Sequence, residues 1–158
     1  MKKINFIKGD ATNPQQSGNK IIVHICNDIG AWGKGFVLAI SKHWREPEKE
    51  YKDWYKSGKD FELGRVQFVK TEKDIWVANI IGQHGITEDE NGSPPIRYQA
   101  VEEGLEKIGE FAKKINASIH MPRIGCGLAR GNWDKIELII LNKLSKQNIA
   151  VTVYDFAP

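Results

Sequence analysis

The chain has 158 residues, of which 41% are hydrophobic and 27% charged, and its formal net charge is +3. This length reads as a single domain over 1–158 with enough chain to bury a substantial core. The scattered lysines form no block of the kind that marks a nucleic-acid arm, so no nucleic-acid signature stands out.

Two cysteines, Cys26 and Cys126, occur without a CxxC or a Cys/His cluster, so no metal site is expected. They read as reduced thiols, which places the chain in the cytoplasm. The basic start "MKKINFIKGD" has too short an apolar run for a signal peptide. No stretch approaches the length of a membrane span.

In chain order, "KINFIKG" alternates as a strand does, and "GDATNPQQSGN" is turn chemistry throughout. "KIIVHIC" is a near-continuous apolar run, as in a strand buried on both faces. It runs into "NDIGAWGKGF", a glycine-rich loop. "FVLAISKHW" and the amphipathic "PEKEYKDWYKSG" read as helices. "RVQFVKT" and "DIWVANIIG", joined by "EKD", predict an antiparallel hairpin.

Residues 82–96, "GQHGITEDENGSPPI", form a long polar loop of the kind that is more often functional than idle. Tyr98, Val101, Leu105, Ile108 and Ala112 then recur at helical spacing, and "SIHMP" is a short strand. "RIGCGLARG" is a second glycine loop. Trp133, Ile136, Ile140 and Leu144 mark a last helix, and "IAVTVYDF" a closing strand. The order β, β, α, α, β, β, α, β, α, β predicts an α/β fold, a three-layer α/β/α sandwich with a mixed central sheet. In such folds ligands collect at the carboxyl ends of the strands, where both glycine loops fall.

A glycine loop running into a helix offers backbone N–H groups to an anion, and two facing loops suit a diphosphate. Neither loop is a Walker A or a GxGxxG sequence, and tight turns without a ligand are the alternative. Asp10 by itself reads as a turn or cap aspartate. His24, inside "IIVHIC", is a core histidine or a cleft one, and His84 is a loop residue. Cys126, between glycines near a helix start, is a site where a thiol pKa falls.

Four separated stretches, "IKGDAT", "HICNDIGAWGKGFVLAI", "HMPRIGCGLARGNW" and "VTVYDF", together resemble the macro domain, the ADP-ribose-binding family. They are similar to its glycohydrolase and ADP-ribose 1″-phosphate phosphatase branches. The resemblance implies that Gly30, Trp32, Gly33, Lys34, Gly35 and Phe36 wrap the distal ribose and diphosphate. It implies that Arg123, Ile124, Gly125, Cys126, Gly127 and Leu128 hold the diphosphate from the other side.

Asp10 and the Ala11 amide would receive the adenine, beside Tyr154 and Phe156. The lysine and aspartate of the glycohydrolase branch are absent: Gly82 and Gln83 lie near the first position and Ala129 at the second. What remains at the distal ribose is His24, Asn27 and Asp28 as the catalytic set, with His84 near enough to reach in. The implied function is hydrolysis of an ADP-ribose derivative at the distal ribose (a 1″-phosphate, an acetyl ester or an ADP-ribosyl linkage to a macromolecule), with no cofactor. A binding module that reads ADP-ribose without chemistry is the alternative.

Overall fold

The computed structural model describes residues 1–156. A six-stranded sheet has the order β1-β6-β5-β2-β4-β3. Its strands are β1 (Asn5–Gly9), β2 (Asn19–Asn27), β3 (Val66–Glu72), β4 (Ile75–Gln83), β5 (Ala117–Met121) and β6 (Val151–Phe156). Five run parallel, and β3 pairs antiparallel with β4 as the hairpin spacing predicts. The helices are α1 (Phe36–His43), α2 (Glu46–Ser57), α3 (Tyr98–Ile115) and α4 (Trp133–Lys143). One 3-10 turn, Ser145–Gln147, was not anticipated from the sequence.

Two apolar clusters define the layers. Ile21 and Val23 of β2, Ala78 and Ile80 of β4, Ile119 of β5 and Val153 of β6 pack beneath Val101, Leu105 and Ile108 of α3 and Ile136 and Ile140 of α4. On the opposite face Ile22 and Cys26 of β2 and Val77 of β4 pack beneath Val37 and Ile40 of α1 and Tyr51 of α2. The period-two alternation of a strand sends neighbouring residues of β2 to the two clusters, which is why residues 21–26 are apolar apart from His24. Among the described residues no helix is long and apolar enough to cross a membrane.

The helices that follow β2 lie on one face, and the helix that follows β5 lies on the other. β2 and β5 are neighbours, yet their register covers only Asn19–Ile22 of β2, which continues to Asn27. The chain therefore leaves these adjacent strands in opposite directions. That arrangement opens a crevice at the carboxyl edge of an α/β sheet.

Close approach of α3 to the sheet depends on Gly104. A Cβ there would lie 2.6 Å from Cγ2 of Ile80 and 3.3 Å from Cγ2 of Val66. Gly104→Val should lower stability by about 1–3 kcal/mol through overpacking, read as a fall in chemical-denaturation midpoint. An unchanged midpoint would show that α3 is free to lift off the sheet.

Candidate functional site

Five strand ends line the carboxyl edge in the order β1, β6, β5, β2, β4. Each carries, within its last residues or just beyond them, one of the residues or loops that the sequence singles out. Gly9, just before Asp10, pairs in register with Phe156, so both lie at one end of this row. The second glycine loop follows β5, the first follows β2, and the long polar loop follows β4, beginning at His84 because Gly82 and Gln83 of the expected 82–96 stretch close the strand.

The first loop is built around Asn27. Its Oδ1 accepts the N–H groups of Ile29 and Ala31, each at 3.0 Å, and its Nδ2 donates to Ala31 O at 2.8 Å. The Tyr51 hydroxyl lies 2.6 Å from Asn27 O and 2.9 Å from Asn27 Oδ1. The Asn27 side chain is thus committed to shaping the loop. Gly30 has φ +76°, and a Cβ on it would collide with the Tyr55 ring.

Gly33 has open space where a Cβ would stand, and Gly35 has φ +85° as the cap of α1. Among the described residues the N–H groups of Gly33, Lys34, Gly35 and Phe36 have no backbone acceptor. Trp32 is buried, donates from Nε1 to Ser41 Oγ at 2.8 Å and belongs to the α1/α2 core. Lys34 is exposed, and Phe36 is partly buried against the same core.

In the second loop, Gly125 (φ +73°) and Gly131 are held together by the Gly131 N–H to Gly125 O bond at 2.6 Å. A Cβ on Gly131 would lie 2.5 Å from that same oxygen. Gly127 faces open space, and neither it nor Leu128 has a backbone acceptor for its N–H among the described residues. Leu128 is exposed, and its Cδ1 lies 3.3 Å from the Cβ position of Gly35, so the two loops meet across the crevice.

Ile124 is buried in the α3/α4 core. The Arg123 guanidinium is held by both oxygens of Asp155, at 2.8 and 3.1 Å, and stacks on Phe6 and Trp133. Its charge is already matched away from the loop amides. For Cys126 the structure corrects the expected lowered thiol pKa. Burial pushes the thiol up, and the nearby Arg123 charge only partly offsets it.

At the β1 end, Asp10 Oδ1 accepts from Thr12 N at 2.8 Å and from Thr12 Oγ1 at 2.6 Å, the turn role read from the sequence. Its Oδ2 has no partner among the described residues. Ala11 is buried, and Phe156 is 74% exposed. Tyr154 is buried, with its hydroxyl 2.7 Å from His120 Nδ1, and Ser118 Oγ lies 2.8 Å from His120 Nε2. Burial raises the Tyr154 pKa to about 12.

His24 faces the α1/α2 core and is only 2% exposed. Asn79 gives its amide hydrogens to Pro47 O and Gln67 Oε1, so its Oδ1 accepts from His24 Nε2. Nδ1 of His24 is left as an acceptor with no partner among the described residues. Its ring packs edge-on to Trp32. Burial lowers its pKa from 6.5 to about 4, against the opposing hydrogen bond to Asn79.

At the β4 end Asp28 Oδ2 lies 2.7 Å from His84 Nδ1, and Asp28 Oδ1 accepts the Gly85 N–H at 2.7 Å. The resemblance implies that His84 reaches toward the distal-ribose set, and the structure brings it onto Asp28, a pairing that neither the residues nor the resemblance specifies. The 82–96 loop is tied by bonds within itself and to its neighbours. His84 N–H donates to Pro95 O, Arg97 binds Asp89 and three loop carbonyls, and Arg130 pairs with Glu88.

No family model matches the chain. The comparisons with known proteins show directly that it belongs to the macrodomain family. It is 44% identical to a macrodomain protein from Streptomyces coelicolor, with TM-score 0.88 over 98% of this chain and 100% of that one. It is 59% identical to a protein of unknown function from Bacteroides thetaiotaomicron, with TM-score 0.96 over 97% of this chain and 98% of that one.

Among curated proteins it is 35% identical over 96% of its length to chromodomain-helicase-DNA-binding protein 1-like of Danio rerio. The chain spans only 15% of that protein and 18% of its Mus musculus counterpart. It is 25% identical to the ADP-ribose 1″-phosphate phosphatase of Meyerozyma guilliermondii, over 98% of this chain and 99% of that protein.

The two buried histidines make the fold acid-sensitive. Burial lowers the pKa of both His24 and His120 from 6.5 to about 4. The unfolded chain binds a proton near pH 6.5 that the folded chain refuses until about pH 4. Stability is therefore full above pH 6.5 and falls as the pH drops through this window, by on the order of 3 kcal/mol per histidine. Melting temperature should fall over this range in the wild type and fall less steeply in His24→Gln. Equal slopes for the two proteins would contradict a neutral, buried His24.

Proposed function

We propose that this chain binds ADP-ribose along the carboxyl edge and hydrolyses a derivative of it at the distal ribose. The observation that carries the reading is the pair of glycine loops meeting across the β2/β5 crevice with unpartnered amides on both sides. Backbone amides at a helix start are suited to a diphosphate. The direction of the ligand follows from the two ends of the row. Exposed Phe156 offers a face on which a purine stacks, and the unpartnered Oδ2 of Asp10 is an acceptor for an exocyclic amine. The base then lies over β1 and β6, and the distal ribose lies beside Asp28 and His84.

Similarity to an ADP-ribose 1″-phosphate phosphatase over nearly the whole of both chains supports a hydrolase rather than a binding module alone. The substrate is ADP-ribose 1″-phosphate, an acetyl ester, or an ADP-ribosyl group on a macromolecule. Unpaired Cys26 and Cys126 fit a cytoplasmic setting. The second reading, a module that binds without chemistry, is favoured by one observation. His24, the histidine next to the first loop, is buried, neutral and committed to Asn79.

Titration calorimetry tests the binding. ADP-ribose should bind in the micromolar range and AMP more weakly, because AMP engages neither the distal ribose nor the full diphosphate cradle. Equal affinities would overturn the two-loop reading. Gly33→Val is the cleanest loop variant, because a side chain there meets no protein atom within 4 Å and needs no unusual φ. It should abolish binding and leave the melting temperature unchanged. Retained affinity would remove this loop from the ligand's wall.

Asp10→Asn keeps the Oδ1 acceptor for Thr12 but turns an amide toward the base. It should weaken ADP-ribose by about 1–3 kcal/mol. An unchanged dissociation constant would take Asp10 out of the site.

A further inference from the structure

We infer that His84 is the catalytic residue that moves the proton in this site, and that Asp28 is its positioning residue. The inference rests on the hydrolytic reading above and deepens it. β2 and β4 are parallel neighbours, and their register slips between Cys26 and Asn27. That bulge brings the first residues beyond the two strands, Asp28 and His84, into contact.

The carboxylate is fixed from two directions. Oδ1 receives the Gly85 N–H, and Oδ2 receives the imidazole Nδ1. An ionised carboxylate at 2.7 Å takes a hydrogen from Nδ1, so the neutral ring carries its proton there and leaves a lone pair on Nε2. The His84 side chain is 58% exposed and the Asp28 side chain 17%. The ring is therefore open to solvent, and its anchor is mostly covered.

The other histidines lack this combination. His24 is buried and bound to Asn79, and both nitrogens of His120 are engaged within the protein. His43 lies exposed near the end of α1, against Trp44. Two of the three acidic side chains of the loop that carries His84 are matched, and the third, Glu90, is exposed with no ion pair among the described residues. Glu88 of the same loop pairs with Arg130 of the second glycine loop, and Asp89 pairs with Arg97. Tyr51, behind Asp28, stays protonated because burial raises its pKa. Asp28 is thus the charge in direct contact with the ring.

The step balances with water alone. Nε2 accepts a proton as the water oxygen bonds to the electrophilic atom of the distal-ribose derivative. The same proton passes from Nε2 to the leaving oxygen as its bond breaks, and the ring returns to its neutral form. Asp28 stays ionised throughout and holds the ring in the working tautomer. The competing role for the pair is structural, a staple that ties the 82–96 loop to β2.

Turnover and ADP-ribose affinity of His84→Ala and Asp28→Asn separate the two roles, with ADP-ribose 1″-phosphate, an acetyl ester and ADP-ribosylated protein as substrates. His84→Ala should lose about a hundred- to ten-thousand-fold in kcat, keep its dissociation constant for ADP-ribose, and recover part of the activity when imidazole is added. Asp28→Asn keeps an acceptor for the Gly85 N–H but presents an amide donor to Nδ1, which forces the proton onto Nε2. Its kcat should fall with KM unchanged, and imidazole should not rescue it.

Undiminished turnover in either variant overturns the inference and leaves the hydrolytic reading intact. Loss of turnover in step with loss of ADP-ribose affinity, without imidazole rescue, also overturns it and assigns the staple role. A wild type that binds ADP-ribose and hydrolyses none of the three substrates overturns both.

Discussion

The site depends on one asparagine. Asn27 ends β2, and its side chain satisfies two amides and a carbonyl of the residues that follow while Tyr51 of α2 closes on it from the side. A buried amide left with any of these bonds unmade would cost about 1–3 kcal/mol, so the turn has little freedom to relax. The same bonds fix the path of residues 28–31. They set where Asp28 projects, and they deliver Gly33 to Phe36 to the crevice with amides unspent. The helix layer, through Tyr51, thereby holds the loop that closes one wall of the cleft.

The other wall is set by the opposite rule of packing. The chain after β5 must reach α4 on the far face, so the second loop turns away from the first just beyond the crevice and returns only at Leu128. Glycines at 125 and 131 permit the tight closure, where a side chain on Gly131 would collide with backbone. The 82–96 loop then joins the second loop through the Ile96 N–H to Ala129 O bond and the Arg130–Glu88 pair. Three loops from three strands are thus mechanically linked.

The order of elements was legible because the hydrophobic period changes cleanly from two to 3.6 along the chain. The long apolar β2 announced a strand covered on both faces. The placement of both glycine loops at one edge followed from that order. Side-chain direction within the loops was not legible. Trp32, Ile124 and Arg123 sit in the motif segments, yet Trp32 and Ile124 turn into the two cores and Arg123 turns to Asp155. Which way a loop residue points depends on the face that the next helix covers, and no local pattern encodes it.

His24 was half-legible. Its apolar surroundings predicted burial, and its nearness to the loop suggested chemistry, but the Asn79 partner comes from another strand. The Asp28–His84 pair joins positions 56 residues apart. Only the pairing of β2 with β4 reveals it. The long polar loop, and the resemblance that sets His84 near Asp28, pointed there without giving the contact.

A linear ligand along the row of strand ends, with its diphosphate between the two glycine loops, would be seen through the backbone amide resonances during titration with ADP-ribose. Large shifts are expected at Gly33 to Phe36 and at Gly127 and Leu128 together, with separate shifts at Ala11 and at Gly85 marking the two ends. Shifts confined to one loop, or clustered along the outer surface of α2 with both loops silent, would contradict that placement.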